Sequence, residues 1–433
     1  MEWTHLTVKP DIGRGAGAGS RGSGGADPSG ADSAGSGPTL TPPNRPQNAI
    51  CALPARGAPG TNGDQDEMTP HALLTLRFAR HGTMSMAGGV VRTNACEQED
   101  DVVGIGIIGT GRQGSDHAQR IASLGDKARL VAVHDLDRSL AGSVAARCQA
   151  RVAESDQALI DDPEVEAVII ASNTETHVPF VLACIEAGKP VLTEKPLGIT
   201  VPTCERVLDA ELAAGRRFTT VGFMRRYDPE YGRLKATVDE GAIGTPLVMH
   251  CIHRNPSVPK TFATRQTLTD TVIHEIDIAR WLLDDEIVSV ALEKPRHRPS
   301  VTHQLADPLL VRLEARSGVR VDVEVFANAG YGYDVRCEVL GSEGYVAMGP
   351  RDHDLVTVES APQQGFPRDW LERFRPAYDA EISNWVDSLA NDRPTASAWD
   401  GYAATVVAEA LVRALQTGHR EAVSVGPRPE LYD

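Results

Sequence analysis

Hydrophobic and polar positions organise into readable patterns only from Val102 onward. Val102–Ile108 is an apolar run rich in β-branched residues, and Leu130–Val133, Ala167–Ala171, Pro190–Thr193 and Phe218–Val221 repeat that strand-like signal. Helix-like stretches separate the runs, notably Val178–Ala187 and Val201–Ala214. Near-continuous apolar strands alternating with helices predict a parallel sheet covered on both faces. Farther along, Leu309–Arg316 and Arg320–Asn328 flank Ser317-Gly318, and Tyr333–Leu340 and Tyr345–Met348 flank Gly341–Gly344, which reads as two hairpins. Tyr378–Leu389 and Tyr402–Leu415 read as closing helices. The expected organisation is α/β, with a first domain over 101–222 and a second domain over 223–433. Residues 1–100 stand apart. Ten of the 27 positions from Asp11 to Gly37 are Gly, and such a composition has too few large apolar groups to offset ordering entropy, which predicts a disordered extension.

The first strand runs directly into Gly109-Thr110-Gly111-Arg112-Gln113-Gly114 and then a helix through Ser123. Each glycine has a physical task at that junction. Gly109 permits a tight turn, Gly111 lets backbone approach a pyrophosphate, and Gly114 lets the helix sit close to the strand with its N-terminus toward the phosphates. Arg112 and Gln113, inside the same turn, are expected to contact the cofactor with it. Asp135 follows the next strand, 21 residues beyond Gly114, where a carboxylate binds adenosine ribose hydroxyls and repels an added 2′-phosphate. NAD is therefore the expected cofactor in preference to NADP. Asn173, His177, Glu194 and Lys195 fall at the carboxyl ends of later strands, where ligands bind in open α/β sheets. Lys195 has two readings, a solvated surface charge or a group facing the nicotinamide.

The stretch TDTVIHEIDIARWL, Thr269–Leu282, places Asp270, His274 and Asp277 on one expected helical face. A zinc helix would require a second histidine where the chain has Ile278, so no metal is expected there. His274 suits a general base, with Asp270 one turn earlier expected to hydrogen-bond its ring and fix the tautomer. The competing reading is a core histidine on an amphipathic helix, with Asp277 structural. Arg225 and Arg226 read either as contacts for a carboxylate or phosphate or as an ordinary surface pair beside Asp228.

A net charge of −16 argues against a nucleic-acid partner. Seven scattered cysteines without a Cys-x-x-Cys pair fit reduced thiols. No transmembrane span and no secretory leader is legible, so a cytoplasmic protein without membrane contact is expected.

The glycine turn, TEKPL at Thr193–Leu197, GFMRRYDPEY at Gly222–Tyr231, HRNPSV at His253–Val258, the His274 segment and YGYDVRCEVLGSEG at Tyr331–Gly344 together resemble the Gfo/Idh/MocA oxidoreductase family, and most of all its branch acting on inositols. The resemblance implies a Rossmann domain followed by an α/β domain whose open, mostly antiparallel sheet mediates assembly, commonly as a homotetramer. It implies Lys195 touching cofactor and substrate, Asp270 and His274 completing the catalytic set, and Arg225, His253 and Tyr333 lining the substrate. The implied reaction is NAD-dependent oxidation of the 2-hydroxyl of myo-inositol or a close cyclitol. A dehydrogenase for another sugar or polyol and a non-catalytic NAD-bound sensor are the alternatives. Ala171-Ser172-Asn173 departs from the Thr-Pro-Asn common in the family.

Overall fold

The computed structural model describes residues 102–296, 304–348, 366–389 and 396–433. The extension expected over 1–100 lies outside the described residues. The first region runs β1 (Val103–Ile108), α1 (Arg112–Ser123), β2 (Ala128–His134), α2 (Arg138–Cys148), β3 (Arg151–Val152), α3 (Asp156–Ile160), β4 (Ala167–Ile170), α4 (His177–Glu186), β5 (Val191–Glu194), α5 (Val201–Ala214) and β6 (Thr219–Gly222). All strands pair in parallel in the order β3-β2-β1-β4-β5-β6. That is the doubly wound arrangement, whose strand order reverses between β1 and β4 and opens a crevice at their carboxyl ends. The second region contributes α6 (Pro229–Asp239), β7 (Pro246–Arg254), α7 (Thr264–Gln266), α8 (Ile273–Leu283), β8 (Ile287–Glu293), β9 (Leu309–Ala315), β10 (Arg320–Phe326), β11 (Asp334–Gly341), β12 (Tyr345–Ala347), α9 (Trp370–Arg373), α10 (Arg375–Ser388), α11 (Ala398–Thr417) and β13 (Glu421–Ala422).

The second sheet has the order β12-β11-β7-β10-β9-β8-β13, antiparallel except where β10 pairs with β7. Both expected hairpins form. One pattern was too weak to read in advance: β7 mixes Pro246, His250 and His253 into its apolar positions, yet it lies inside the sheet, between β11 and β10. Alternation sets the faces. In β10, Val321, Val323 and Val325 point into the core while Arg320 and Asp322 face outward.

Packing crosses the sequence division at 222. Ile382, Trp385 and Val386 of α10 join Ile105, Ile107, Ile169 and Leu192 in a core cluster on one face of the first sheet. On the edge, the Val221 amide donates to the Ala396 carbonyl at 2.7 Å, just before α11 begins. The last helices thus pack onto the sheet that carries the candidate site. Among the described residues no helix is long and apolar enough to cross a membrane.

Candidate active site

The β1–α1 turn has the geometry a dinucleotide needs. Gly109 has φ +91°, and a Cβ on Gly114 would stand 1.9 Å from the Gly109 carbonyl oxygen, so both positions require glycine for backbone reasons. A Cβ on Gly111 would meet nothing within 4 Å, and no side chain caps α1, so open space faces uncapped helix amides. These are the features a pyrophosphate requires. Asp135 lies at the end of β2, where its Oδ2 accepts from the Thr110 amide at 2.6 Å and the Thr110 hydroxyl at 2.9 Å. Arg112 reaches across to Asp369 and stacks 4.4 Å over the Trp370 ring, which joins the glycine turn to α9. Asn173 stands exposed after β4.

Glu194 and Lys195 end β5, and they diverge. Glu194 Oε1 accepts from Nε2 of His117, 2.8 Å away, and Gln113 lies beside the same nitrogen at 3.2 Å. Burial raises the Glu194 carboxyl, but His117, Lys195 and His177 together outweigh it and hold it below its ordinary value. His117, at 0% exposure, carried no signal in the sequence beyond its place in a helix. Lys195 turns the other way. Its Nζ donates to Asp270 Oδ1 at 2.6 Å and to the Asp270 carbonyl at 3.0 Å.

That contact corrects the expected Asp270–His274 pair. Asp270 lies in a π-helical turn, Thr267–Thr271, that precedes α8. The wider turn takes Asp270 out of the register that would stack it on His274, and its carboxylate goes to Lys195 instead. His274 Nδ1 is buried without a hydrogen-bond partner. Burial first, then Lys195, Arg225 and His253, push the His274 imidazole well below its ordinary 6.5, so it is neutral near pH 7. Asp277 belongs to another group altogether: it is 1% exposed and accepts from Arg226 Nε at 3.0 Å. Arg226 is therefore no surface charge: its side chain is 7% exposed and pairs with Asp277 and Asp400, while Asp228 receives Arg373 at 2.6 Å.

Three expected substrate-lining groups form a layer beneath this crevice. Arg225, His253 and Tyr333 are 1%, 3% and 2% exposed. Arg225 Nη1 pairs with Glu275, His253 Nδ1 lies 3.1 Å from Glu275 Oε2, and the Tyr333 hydroxyl lies 3.2 Å from His253 Nε2. Their polar atoms are turned toward one another, because a guanidinium this deeply buried needs a carboxylate. Glu275 was missed; an acid following His274 on an apolar helix was the available signal. His177, expected on the cofactor, is also buried. Its Nδ1 lies 2.8 Å from the Pro196 carbonyl and Nε2 3.2 Å from the Ser172 carbonyl. A neutral ring has one N–H, which the shorter contact assigns to Nδ1. Burial keeps His177 below its ordinary value despite both carbonyls, and the ring ties the end of β4 to the turn carrying Lys195.

Residues 103–223 match the model of the GFO_IDH_MocA oxidoreductase family with NAD-binding Rossmann fold, and residues 231–347 match the GFO/IDH/MocA C-terminal domain. The chain belongs to this family. As a Gfo/Idh/MocA oxidoreductase it binds NAD, and its glycine turn fits that cofactor. Inositol 2-dehydrogenase 3 of Saccharopolyspora erythraea is 46% identical over 331 residues, covering 76% of this chain and 98% of that protein. Inositol 2-dehydrogenase of Pseudomonas fluorescens is 45% identical over 331 residues, with the same coverage. Among solved structures, myo-inositol dehydrogenase from Lactobacillus casei in complex with NAD(H) and myo-inositol matches with a TM-score of 0.72 at 36% identity, covering 77% of this chain and 100% of that one.

Proposed function

We propose that this oxidoreductase converts the 2-hydroxyl of myo-inositol, or of a close cyclitol, to the ketone, with NAD as the oxidant. One observation carries the reading: Lys195, at the end of the first sheet's β5, is held by Asp270 and its charge acts on buried, neutral His274, in a chain whose relatives are inositol 2-dehydrogenases. NAD, when bound, supplies the hydride acceptor. The α1 amides and Gly111 would hold its pyrophosphate and Asp135 its adenosine ribose.

His274 takes the hydroxyl proton as the carbinol C–H bond breaks and the carbonyl forms. A buried imidazole is a weak base, so the alcohol must be made more acidic too. The Lys195 ammonium does this by holding the oxygen on which negative charge develops. Asp270 aims that ammonium; it does not orient His274 directly. The open face of the second sheet, with Leu310, Leu340 and Tyr345 exposed, suits burial against a second copy of the chain in a homo-oligomer, a tetramer by the family resemblance.

The test is NADH formation with myo-inositol, scyllo-inositol and a set of aldoses. Myo-inositol should give the highest kcat/KM. A higher kcat/KM with an aldose would replace the substrate assignment. Tight NAD binding with no turnover of any polyol would point to the sensor alternative and overturn the reading.

A further inference from the structure

Glu275 follows the proposed base in sequence, but its carboxylate is committed to Arg225 and His253. It lies 1% exposed on α8, and every polar contact it makes is to a group of the buried layer. Its Oε1 pairs with Arg225 Nη1 and lies 3.0 Å from His253 Nδ1, with Oε2 at 3.1 Å from the same nitrogen. Arg225 Nη2 lies 3.1 Å from that nitrogen as well. His253 Nδ1 cannot serve both neighbours: it donates to Glu275 or accepts from Arg225. A guanidinium only donates and a carboxylate only accepts. An N–H toward the ionised carboxylate, with both oxygens in reach, is the stronger choice. Nε2 is then an acceptor, and the Tyr333 hydroxyl 3.2 Å away donates to it.

Resting on the proposed role of His274, we infer that Glu275 is a positioning residue for the reaction: it holds His253 as the Nδ1–H tautomer and cancels the charge of Arg225 behind the base. The groups facing His274 are Lys195 at the end of β5, Arg225 after β6 and His253 on β7, while Asp270 reaches it only through Lys195. Of these, Arg225 is the cation that Glu275 offsets. Without the carboxylate, Arg225 opposes protonation of His274 at full strength. The base weakens, and both His253 tautomers become accessible.

Two measurements test this. The first is the pH profile of kcat/KM for wild type, Glu275→Gln and the double variant Glu275→Gln/Arg225→Gln. The single Glu275→Gln variant should lose about tenfold or more in plateau rate, with its acid limb moved to lower pH, and the double variant should return the limb toward wild type. An acid limb that stays in place while the rate falls would show a merely structural role and overturn the inference. The second uses no substrate and no substitution. Imidazole nitrogen NMR of the wild-type protein should show His253 protonated at Nδ1 and bare at Nε2; the opposite tautomer would overturn the inference. Because that reading is independent of turnover, it stands even if the inositol assignment fails or Glu275→Gln does not fold.

Discussion

Gly111→Ala separates cofactor binding from folding, because the new methyl group has room in the protein itself but takes the space a pyrophosphate would fill. Gly111 has φ −59°, which any residue adopts, and its Cβ would meet nothing within 4 Å. Stability should change by no more than about 1 kcal/mol, a lower unfolded-state entropy opposing a poorer N-cap. The methyl instead fills the open side of the turn and displaces a phosphate by about 1.5 Å, the length of a carbon–carbon bond. Each amide–phosphate hydrogen bond so broken is worth about 1.5–3 kcal/mol, and losing one or two weakens NAD roughly 100-fold. Gly114→Ala is the contrasting case. Its Cβ would lie 1.9 Å from a backbone oxygen, so α1 must move about 1.5 Å to restore a 3.4 Å contact. Overpacking of that kind costs about 1–3 kcal/mol, so stability and NAD affinity should fall together. Thermal melting without cofactor and calorimetric titration with NAD measure the two effects. If Gly111→Ala binds NAD as wild type does, the placement of the pyrophosphate is refuted; if it melts as low as Gly114→Ala, the argument from space is refuted.

Three further outcomes are expected. Lys195→Ala and His274→Ala should each lower kcat by about 100-fold or more while changing NAD affinity little; a matching loss of NAD affinity in a binding titration would reassign them. Asp135→Ala should narrow the preference for NAD over NADP, and an unchanged ratio of kcat/KM values would exclude the ribose contact. His274 is held neutral in the folded state, so the unfolded chain binds the extra proton as pH falls through about 6.5 and stability drops. The loss assignable to this residue is about 1 kcal/mol between roughly pH 7 and 5.5, so denaturant unfolding of His274→Asn should be shallower in pH by that amount. An identical slope in the two proteins would contradict the buried neutral imidazole.

Local pattern determined a large part of this protein. The strand runs, the glycine turn, the acid after β2 and both hairpins are encoded in residues a few positions apart, where backbone sterics and periodicity act directly. Lys195, Asp270 and His274 were legible as candidates for a similar reason, each standing in a short recognisable segment. Their partnerships were not. Asp270 binds Lys195 across 75 residues of chain because a π-helical turn, which leaves no signature in an apolar-polar pattern, alters the register before α8. Arg225, Glu275, His253 and Tyr333 come from four separate segments, and only their common burial makes them satisfy one another. A buried charge takes its partner from whatever the fold brings within about 3 Å, and that choice is made by tertiary packing, after the local elements exist.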